Sequence, residues 1–386
     1  MIVYKGFKTK IYPNKEQIEY FNECFGISRF AYNWYIEKMK YNYENGIKQN
    51  FNNLRKEFQR LKYADEYKWL QNTNVRVINS ALGNANDAFK RFFNKQCNYP
   101  KFKSKKYNKR SFSSDSCSIY PTAIQFNNKR HLFNGKCFYI GGKLSKPGTV
   151  NGYFIKTAED ISFLKDKQIY LITISYDGIN YYASFSYKYE NNNIYNNHIE
   201  DIVGIDLGLK TYAVQSDNRI TKFPKQRVLK LEQKIRRLNQ IMSKKEKGSK
   251  NYNKVRTKLN KCYKKIHNIT LDFLHKYTTY LCKTYKTIKI EDLNISNMLK
   301  NHKLARSISR SYFYTFRSML EYKSKWYNNK LIIIDRFYPS SKTCHCCGNI
   351  KKDLKLSDRI YKCNKCDIVI DRDLNAALNI RDWNVV

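Results

Sequence analysis

The chain has 386 residues, and its 73 Lys and Arg against 32 Asp and Glu give a formal net charge of +41. This length is enough for two or three domains, and the charge indicates a polyanionic partner whose phosphates the basic side chains neutralise. No apolar run approaches the about 20 residues that span a bilayer, and the amino terminus lacks the apolar run of a signal peptide.

Two other features of composition bear on the partner and the compartment. The 33 Tyr and 22 Phe residues, interleaved with Lys, suit stacking on nucleobases, although an AT-rich genome also raises Lys, Asn, Ile and Tyr together. Six of the 11 cysteines are scattered singly. This is not a disulfide framework, so we expect a reducing cytosol.

The amino-terminal half alternates between β and helical patterns. Residues 2–11 predict a short strand, and apolar residues at helical spacing predict helices over about 14–96. After the basic run at 99–106, short alternating segments predict strands up to about residue 200, including a hairpin that turns at Asp177. We therefore predict a β-barrel-like domain whose first strand is 2–11 and which carries the helical block as an insertion.

The carboxy-terminal half follows an α/β order. Three short strands are predicted between residues 202 and 223, and two long basic helices follow, up to residue 285. The next elements are a strand, a helix, a buried strand and a closing helix, at 287–291, 308–328, 331–335 and 373–382. This order is typical of an RNase H-like α/β domain.

Two cysteine pairs near the carboxy terminus are spaced like those of a zinc ribbon. They lie 15 residues apart and consist of Cys344, Cys347, Cys363 and Cys366. Each Cys-x2-Cys pair places two thiolates on one turn, and four thiolates leave Zn²⁺ no open position, so we predict a structural metal. Cys346 and His345 are alternative ligands, although the Gly after Cys347 favours Cys347.

Three acids lie on separate predicted elements. Asp206 lies inside an apolar strand, where an ionised carboxylate is costly unless it is paired or binds a metal. Glu291 ends the fourth strand, and Asp373 begins the last helix. Phosphodiester cleavage with two Mg²⁺ ions needs acids that converge in this way, because one ion activates water and the other stabilises the leaving oxygen.

Each acid taken singly has another explanation. The sequence Gly-Ile-Asp-Leu-Gly at 204–208 also fits a sugar-kinase-type phosphate loop, and Asp373 alone fits a helix N-cap. Asp371 is the rival of Asp373 as a ligand, and Asp292 is the rival of Glu291. Together, in this order on this fold, the three acids favour a metal site.

Motifs spread over nearly the whole chain resemble those of one family. They include Arg-Phe-Ala-Tyr-Asn at 29–33, Gly-Ile-Asp-Leu-Gly at 204–208, Ile-Glu-Asp-Leu-Asn at 290–294, Pro-Ser-Ser-Lys-Thr-Cys at 339–344 and Asp-Arg-Asp-Leu-Asn-Ala-Ala at 371–377. The chain resembles the TnpB family, the RNA-guided nucleases of bacterial insertion sequences and relatives of the compact type V CRISPR effectors. It departs from the family's usual Cys-Ser-x-Cys-Gly knuckle, which is replaced by Cys-His-Cys-Cys-Gly.

The resemblance implies a multidomain α+β fold in four parts. These are a wedge β-barrel (1–12 and 98–200), a helical recognition domain (13–97), a RuvC-like nuclease domain (201–340 and 369–386) and an inserted zinc ribbon (341–368). It also implies an RNA-guided DNA endonuclease of a transposable element, with a guide RNA transcribed near the element's end and DNA targets beside a short flanking motif. The family's catalytic triad, with two Mg²⁺ ions, matches Asp206, Glu291 and Asp373.

Basic residues outside these motifs are weaker candidates for nucleic-acid contact. They are Lys101, Lys103, Lys105, Lys106 and Arg306. For the lysines a solvated loop is the alternative, and for Tyr32 and Asn33 core packing is favoured over nucleic-acid contact.

Two other functions stay open at this point. One is a nuclease-inactive, RNA-guided DNA-binding repressor, against which the three retained acids argue. The other is an RNA-independent resolvase or transposase, which the charge of +41 also fits. We expect no membrane partner and a location in the bacterial cytosol, and the sequence allows a monomer or a dimer.

Overall fold

A computed structural model shows the chain as two compact units, Met1–Glu190 and Asn191–Val386. The structure describes residues 2–105, 110–115, 117–119, 123–126, 129–132, 136–146, 149–190, 198–298, 300, 305, 308–309, 311–355 and 358–383. Within these ranges, no helix has the length and apolar character that crossing a bilayer requires.

The amino-terminal unit begins with a strand and continues with helices. These elements are β1 (Ile2–Ile11), α1 (Lys15–Glu44), α2 (Phe51–Leu61), a 3-10 segment (Asp65–Asn72) and α3 (Val75–Phe93). Helix α1 starts with a capping box, because Asn14 accepts from the Gln17 N–H while the Gln17 side chain accepts from the Asn14 N–H. The predicted first strand and the predicted helical segment are both confirmed.

Helix α1 contributes to two hydrophobic clusters. Near its start, Phe21 and Phe25 pack with buried residues of the strands described below. Farther along, Tyr35 and Ile36 are buried among apolar side chains of α2 and α3. The helical insertion therefore shares its longest helix with the β core, and burial of these side chains holds the two together.

Antiparallel strands fill the rest of this unit. They are β2 (Arg110–Ser114), β3 (Cys117–Ile119), β4 (Ala123–Phe126), β5 (Lys129–Leu132), β6 (Cys137–Lys146), β7 (Thr149–Lys156), β8 (Ile169–Tyr176) and β9 (Tyr181–Glu190). Their sheets have the orders β1-β9-β8-β2, β3-β6-β7 and β4-β5. The predicted hairpin is β8–β9, in which Asp177 Oδ1 accepts from the N–H groups of Ile179 and Asn180. Closure into a barrel stays a prediction.

The carboxy-terminal unit has the predicted element order. Its strands are β10 (Glu200–Leu207), β11 (Ala213–Gln215), β12 (Ile220–Thr221), β13 (Tyr285–Glu291), β14 (Lys330–Ile334), β15 (Ile360–Lys362) and β16 (Val369–Asp371). Its helices are α4 (Lys225–Ser243), α5 (Lys250–Thr284), the short α6 (Ile295–Met298), α7 (Phe313–Tyr327) and α8 (Arg372–Asp382).

A five-stranded sheet organises this unit, with the order β12-β11-β10-β13-β14. Strands β10, β13 and β14 are parallel, whereas β11 and β12 run antiparallel. One face packs on α5 and α7, where Leu281 and Phe316 are fully buried. The fifth strand, β14, is less buried than we predicted. It is the outermost strand of the sheet, and only its Ile334 is fully buried.

The opposite face of β10 is covered by α8 at very short range. A Cβ atom at Gly204 would lie 2.2 Å from the backbone oxygen of Ala377 and 2.4 Å from the backbone nitrogen of Arg381. These are backbone atoms of α8, so no side-chain rotation can make room. Glycine at this position is therefore what lets the last helix lie against the central strand.

We predict that Gly204→Ala destabilises the protein by about 3 kcal/mol, the upper part of the range for an overpacked core. The added methyl group must push α8 away from β10. Gly6→Ala is the matched control in a strand, because a Cβ atom there meets nothing within 4 Å, and we expect a change below about 1 kcal/mol. Chemical denaturation measures both, and equal stability of the two variants would contradict the account.

Candidate active site and metal centre

Two of the predicted catalytic acids lie side by side at the carboxyl ends of two neighbouring parallel strands. Strands β10 and β13 are parallel neighbours in which Ile205 pairs with Ile290, so Asp206 and Glu291 occupy the next position on each strand. Ile205 and Ile290 are buried on the face covered by α5 and α7. Since side chains alternate along a strand, both carboxylates project from the other face, at the carboxyl ends of the strands.

The third acid joins them from α8. Asp373 lies in the first turn of this helix, which packs on the same face of β10 at Gly204. Removal from water raises the pKa of Asp206 well above its ordinary value, and the negative charges of Glu291 and Asp373 raise it further. Burial also raises the pKa of Glu291. The fold therefore brings the three predicted acids together.

The rival acids have other partners. Asp371 is the N-cap of α8, and its Oδ1 accepts from the N–H groups of Asp373 and Leu374 at 2.9 and 3.0 Å. Asp292 forms ion pairs with Arg317 Nη1 at 2.6 Å and with Arg336 Nη2 at 2.5 Å. Asp371 is therefore the cap of α8, which leaves Asp373 as the candidate metal ligand.

Polar neighbours that sequence reasoning missed orient these carboxylates. The Ser340 hydroxyl donates to Glu291 Oε1. Arg372 Nη2 lies 3.0 Å from Asp373 Oδ1, and Arg359 Nη1 lies 3.9 Å from Asp373 Oδ2. Arg372 is adjacent to Asp373 in the sequence, and Arg359 lies four residues before Cys363. No spacing rule assigns either arginine to a carboxylate.

The donor set of the three acids fits Mg²⁺, which prefers carboxylate oxygens. In the described part of the chain, the four-cysteine cluster alone is compact enough to stand out as a candidate site of three or more ligands for a single ion. A site for two Mg²⁺ ions distributes its carboxylates around both ions, which are about 3.5–4 Å apart. Their role as metal ligands stays a prediction.

The four predicted cysteines form a compact cluster. The Sγ atoms of Cys344, Cys347, Cys363 and Cys366 all lie within 4.8 Å of one another. The Cys344–Cys366 and Cys347–Cys363 Sγ distances are both 3.6 Å, close to the about 3.75 Å edge of a tetrahedron with Zn–S bonds of about 2.3 Å. Cys346 is exposed and outside the cluster, which resolves the alternative ligand in favour of Cys347.

Backbone geometry shapes the turns around the cluster. Gly348 has φ +72°, a left-handed conformation that favours glycine, and its N–H donates to the Cys344 carbonyl. The N–H of Lys365 donates to Cys363 Sγ at 3.3 Å, and backbone N–H groups lower the pKa of Cys363 to about 6. A thiolate that is easily formed is the species that binds metal.

Two buried asparagines connect this cluster to the helix that carries Asp373. Asn375 Nδ2 and Asn379 Nδ2 both donate to the Thr343 carbonyl at 2.7 Å. Asn379 also donates to the Ser340 carbonyl, and Asn375 Oδ1 accepts from the His345 N–H. The asparagines lie one helical turn apart on α8. Their only sequence signal is a pair of amides at positions i and i+4 in an apolar helix.

The predicted nucleic-acid contacts are only partly described. Lys101 and Lys105 are exposed, whereas Lys106 and Arg306 lie outside the described residues. The ammonium of Lys103 lies 3.9 Å from the centre of the Tyr32 ring. Asn33 Oδ1 accepts from the Lys103 N–H, and Asn33 Nδ2 donates to the Lys103 carbonyl. Tyr32 and Asn33 therefore hold the basic segment in place, and contact with nucleic acid stays a prediction.

Family comparisons cover three segments of the chain. Residues 313–380 match the family described as “Cas12f1-like, TNB domain”, residues 184–302 match “Probable transposase” and residues 1–48 match “Helix-turn-helix domain”. The segment 1–48 nearly coincides with β1 and the single long helix α1 taken together. A protein of Streptomyces pristinaespiralis is 30% identical over 98% of this chain and 89% of its own length.

The chain belongs to the TnpB family. The Streptomyces relative is named “Putative RNA-guided DNA endonuclease”, as is a protein of Escherichia coli, InsQ, which is 26% identical over 97% of this chain and 91% of its own length. Proteins of a mimivirus that are named TnpB-like are 32% identical over 46% of this chain and 36% of their own length.

Solved structures share the fold at low sequence identity. The protein in a Cas12f1–sgRNA–target DNA complex has a TM-score of 0.59 and 13% identity, with 99% of both chains covered. The mini-RNA-guided endonuclease CRISPR-Cas_phi3 has a TM-score of 0.56 and 11% identity, with 98% of this chain and 92% of the other covered. This TnpB-family chain therefore has the multidomain α+β fold of these proteins.

We predict that Asp206→Asn raises the melting temperature of the metal-free protein at pH 7. A carboxyl group whose pKa is raised on folding stabilises the fold at low pH, and that stabilisation is lost as the pH rises through the folded pKa. The ionised Asp206 thus opposes folding at neutral pH, and the neutral amide does not. The gain must shrink as the pH falls and vanish below about 4, where the acid becomes protonated in the unfolded state as well as in the folded state.

Calorimetry with a chelator present measures this effect. Asp272→Asn is the control, because Asp272 is exposed and pairs with Lys276 on the surface of α5, and surface pairs of this kind contribute little. A melting temperature at pH 7 that is unchanged or lower in Asp206→Asn would contradict the raised pKa.

The cysteine cluster gives a matched pair of neighbouring substitutions. We expect Cys347→Ser to lose bound metal, because it removes one of four thiolates, and Cys346→Ser to retain it. Elemental analysis of the purified proteins should find about one zinc per chain in the wild type and in Cys346→Ser. Equal zinc content in the two variants would show that Cys347 is not a ligand.

Proposed function

We propose that this chain is an RNA-guided DNA endonuclease with a RuvC-like nuclease domain that depends on Mg²⁺. The observation that carries the proposal is the convergence of Asp206, Glu291 and Asp373 from β10, β13 and α8 at one edge of the sheet. Membership of the TnpB family, in which relatives are named RNA-guided DNA endonucleases, supports the substrate and the guide.

In this proposal the acids bind the cations, and neighbouring polar side chains orient the acids. When bound, two Mg²⁺ ions would supply an activated water and stabilise the leaving oxygen. Asp206, central among the acids, provides the carboxylate whose ionisation a cation would favour. The Ser340 hydroxyl fixes one oxygen of Glu291. Arg372 Nη2 contacts Asp373 Oδ1 and aligns that carboxylate at the start of α8.

The cysteine cluster has a structural role in this proposal. Four thiolates would complete the coordination of one Zn²⁺ ion and leave no position for substrate. The ion would fold the segment between β14 and α8 as a zinc ribbon. Through Asn375 and Asn379, that segment is bonded to the helix of Asp373, so loss of zinc should impair activity through lost structure.

The partners follow from charge and from the family. A net charge of +41 suits a guide RNA and a DNA target, whose pairing would supply most of the sequence specificity while the protein reads a short flanking motif. We propose that the strands of the amino-terminal unit form a wedge barrel and that its helices form a recognition domain. Lys101 and Lys105 are exposed candidates for phosphate contact.

A cleavage assay tests the proposed function through two neighbouring acids. The protein is co-expressed with its flanking RNA and given target plasmids that carry a library of flanking sequences. We expect Asp373→Asn to slow cleavage by about 100-fold or more, because a metal ligand is lost. Asp371→Asn should cleave at nearly the wild-type rate, since asparagine also caps helices well.

Other outcomes assign other functions. A DNA footprint without any cleavage by the wild type, in Mg²⁺ and across the whole library, would indicate an RNA-guided repressor. Cleavage or strand exchange by RNA-free protein would indicate an RNA-independent resolvase or transposase. Equal loss of activity in Asp371→Asn and Asp373→Asn would contradict the division of roles at the start of α8.

A further inference from the structure

The loop at residues 335–340 borders the candidate active site at both ends. It begins directly after Ile334, which pairs with Glu291 in the sheet. It ends at Ser340, whose hydroxyl donates to the Glu291 carboxylate. The loop, called the arc below, therefore leaves the sheet beside Glu291 and returns at Ser340 to the same side chain.

Internal contacts fix the shape of this arc. Asp335 Oδ1 accepts from the Phe337 N–H at 2.7 Å, and the Asp335 carbonyl accepts from the Tyr338 N–H at 3.2 Å. Arg336 Nη2 donates to Asp292, the residue after Glu291, at 2.5 Å. The turn is therefore tied to the sheet at the position next to a catalytic acid, and Asp292 and Arg336 act as positioning residues.

Phe337 lies at the outer end of this fixed turn with its side chain in solvent. It is 86% exposed, although a phenylalanine ring normally gains free energy by leaving water. The neighbouring Arg336 side chain is 45% exposed and retains donors that Asp292 does not use. A rigid turn that presents a bare aromatic ring beside a guanidinium has the features of a surface that stacks a base and contacts its phosphate.

The length of the loop limits how far the ring lies from the acids. Phe337 lies three positions before Ser340, and three steps along the chain span at most about 11 Å of backbone. Stacked bases of one strand rise by about 3.4 Å each. A nucleobase on the Phe337 ring would therefore belong to a nucleotide within a few positions of the phosphate that is cut.

We propose that Phe337 is a stacking platform for one nucleobase of the single DNA strand that enters the active site. The ring holds the strand so that the neighbouring phosphate lies at Asp206, Glu291 and Asp373. The inference rests on the proposed function and adds a substrate-binding residue to the same site. It commits to an unpaired base, because a base within a duplex has both faces covered by its neighbours.

The test places 2-aminopurine, in turn, at each position within four nucleotides of the mapped cut. The guide-bound Asp206→Ala protein binds this DNA without cutting it, so fluorescence reports stacking alone. One position should change its fluorescence on binding. The change should be lost in Asp206→Ala/Phe337→Ala and kept in Asp206→Ala/Phe337→Trp. With Asp206 intact, Phe337→Ala should slow cleavage about 5- to 150-fold, the factor that corresponds to one base–aromatic stack.

Two further variants define the control. Ile202→Ala removes another exposed apolar side chain at the opposite end of β10 from Asp206, and it should cleave like the wild type. Phe337→Leu keeps an apolar side chain without a ring, and it should behave like Phe337→Ala. If leucine restores cleavage and fluorescence as fully as tryptophan does, stacking is excluded.

The remaining outcomes distinguish failure of this inference from failure of the proposed endonuclease function. Wild-type protein that cuts no target refutes the proposed function and the inference together. Wild-type protein that cuts, with Phe337→Ala equal to it in cleavage rate and fluorescence, refutes the inference alone. A change in oligomeric state in Phe337→Ala, measured by light scattering, would instead assign the ring to a contact between two copies of the chain.

Discussion

The close contact between α8 and β10 at Gly204 is the constraint on which the site depends. Without a Cβ atom at this position, the backbone of the last helix reaches the central strand, and its first turn brings Asp373 toward Asp206. The two acids are 167 positions apart in the sequence. Their meeting therefore depends on tertiary packing, and the tightness of that packing leaves little freedom for the carboxylates.

The clustering of three carboxylates costs free energy of folding unless positive charges offset their repulsion and desolvation. Three carboxylates share a partly buried position, where desolvation and then the charges of Glu291 and Asp373 raise the pKa of Asp206. Two arginines near Asp373 offset part of the charge. The proposed cations among the acids would offset the rest and would stabilise a cluster whose ionisation opposes folding. The cysteine cluster supports this arrangement from outside, through Asn375 and Asn379.

Much of this could be predicted from the sequence, and the exceptions have physical causes. Apolar periodicity gave the element order of both units, and the spacing of the thiols gave the cysteine cluster. Asp371 stayed a rival of Asp373 because both acids suit a helix start, and only the hydrogen bonds to Asp371 identify it as the cap. The contact of Ser340 with Glu291 and that of Arg359 with Asp373 also escaped, since a hydroxyl or guanidinium carries no spacing signal for a distant carboxylate.

The central claim is that Asp206, Glu291 and Asp373 together bind the catalytic metal ions. Anomalous diffraction from crystals soaked in Mn²⁺, which takes the oxygen ligands of Mg²⁺, tests it most directly. The account predicts two Mn²⁺ peaks about 3.5–4 Å apart among these three carboxylates, and no peak between them in Asp206→Asn. Wild-type crystals with Mn²⁺ bound at Asp292 or Asp371, and none among the three acids, would contradict it.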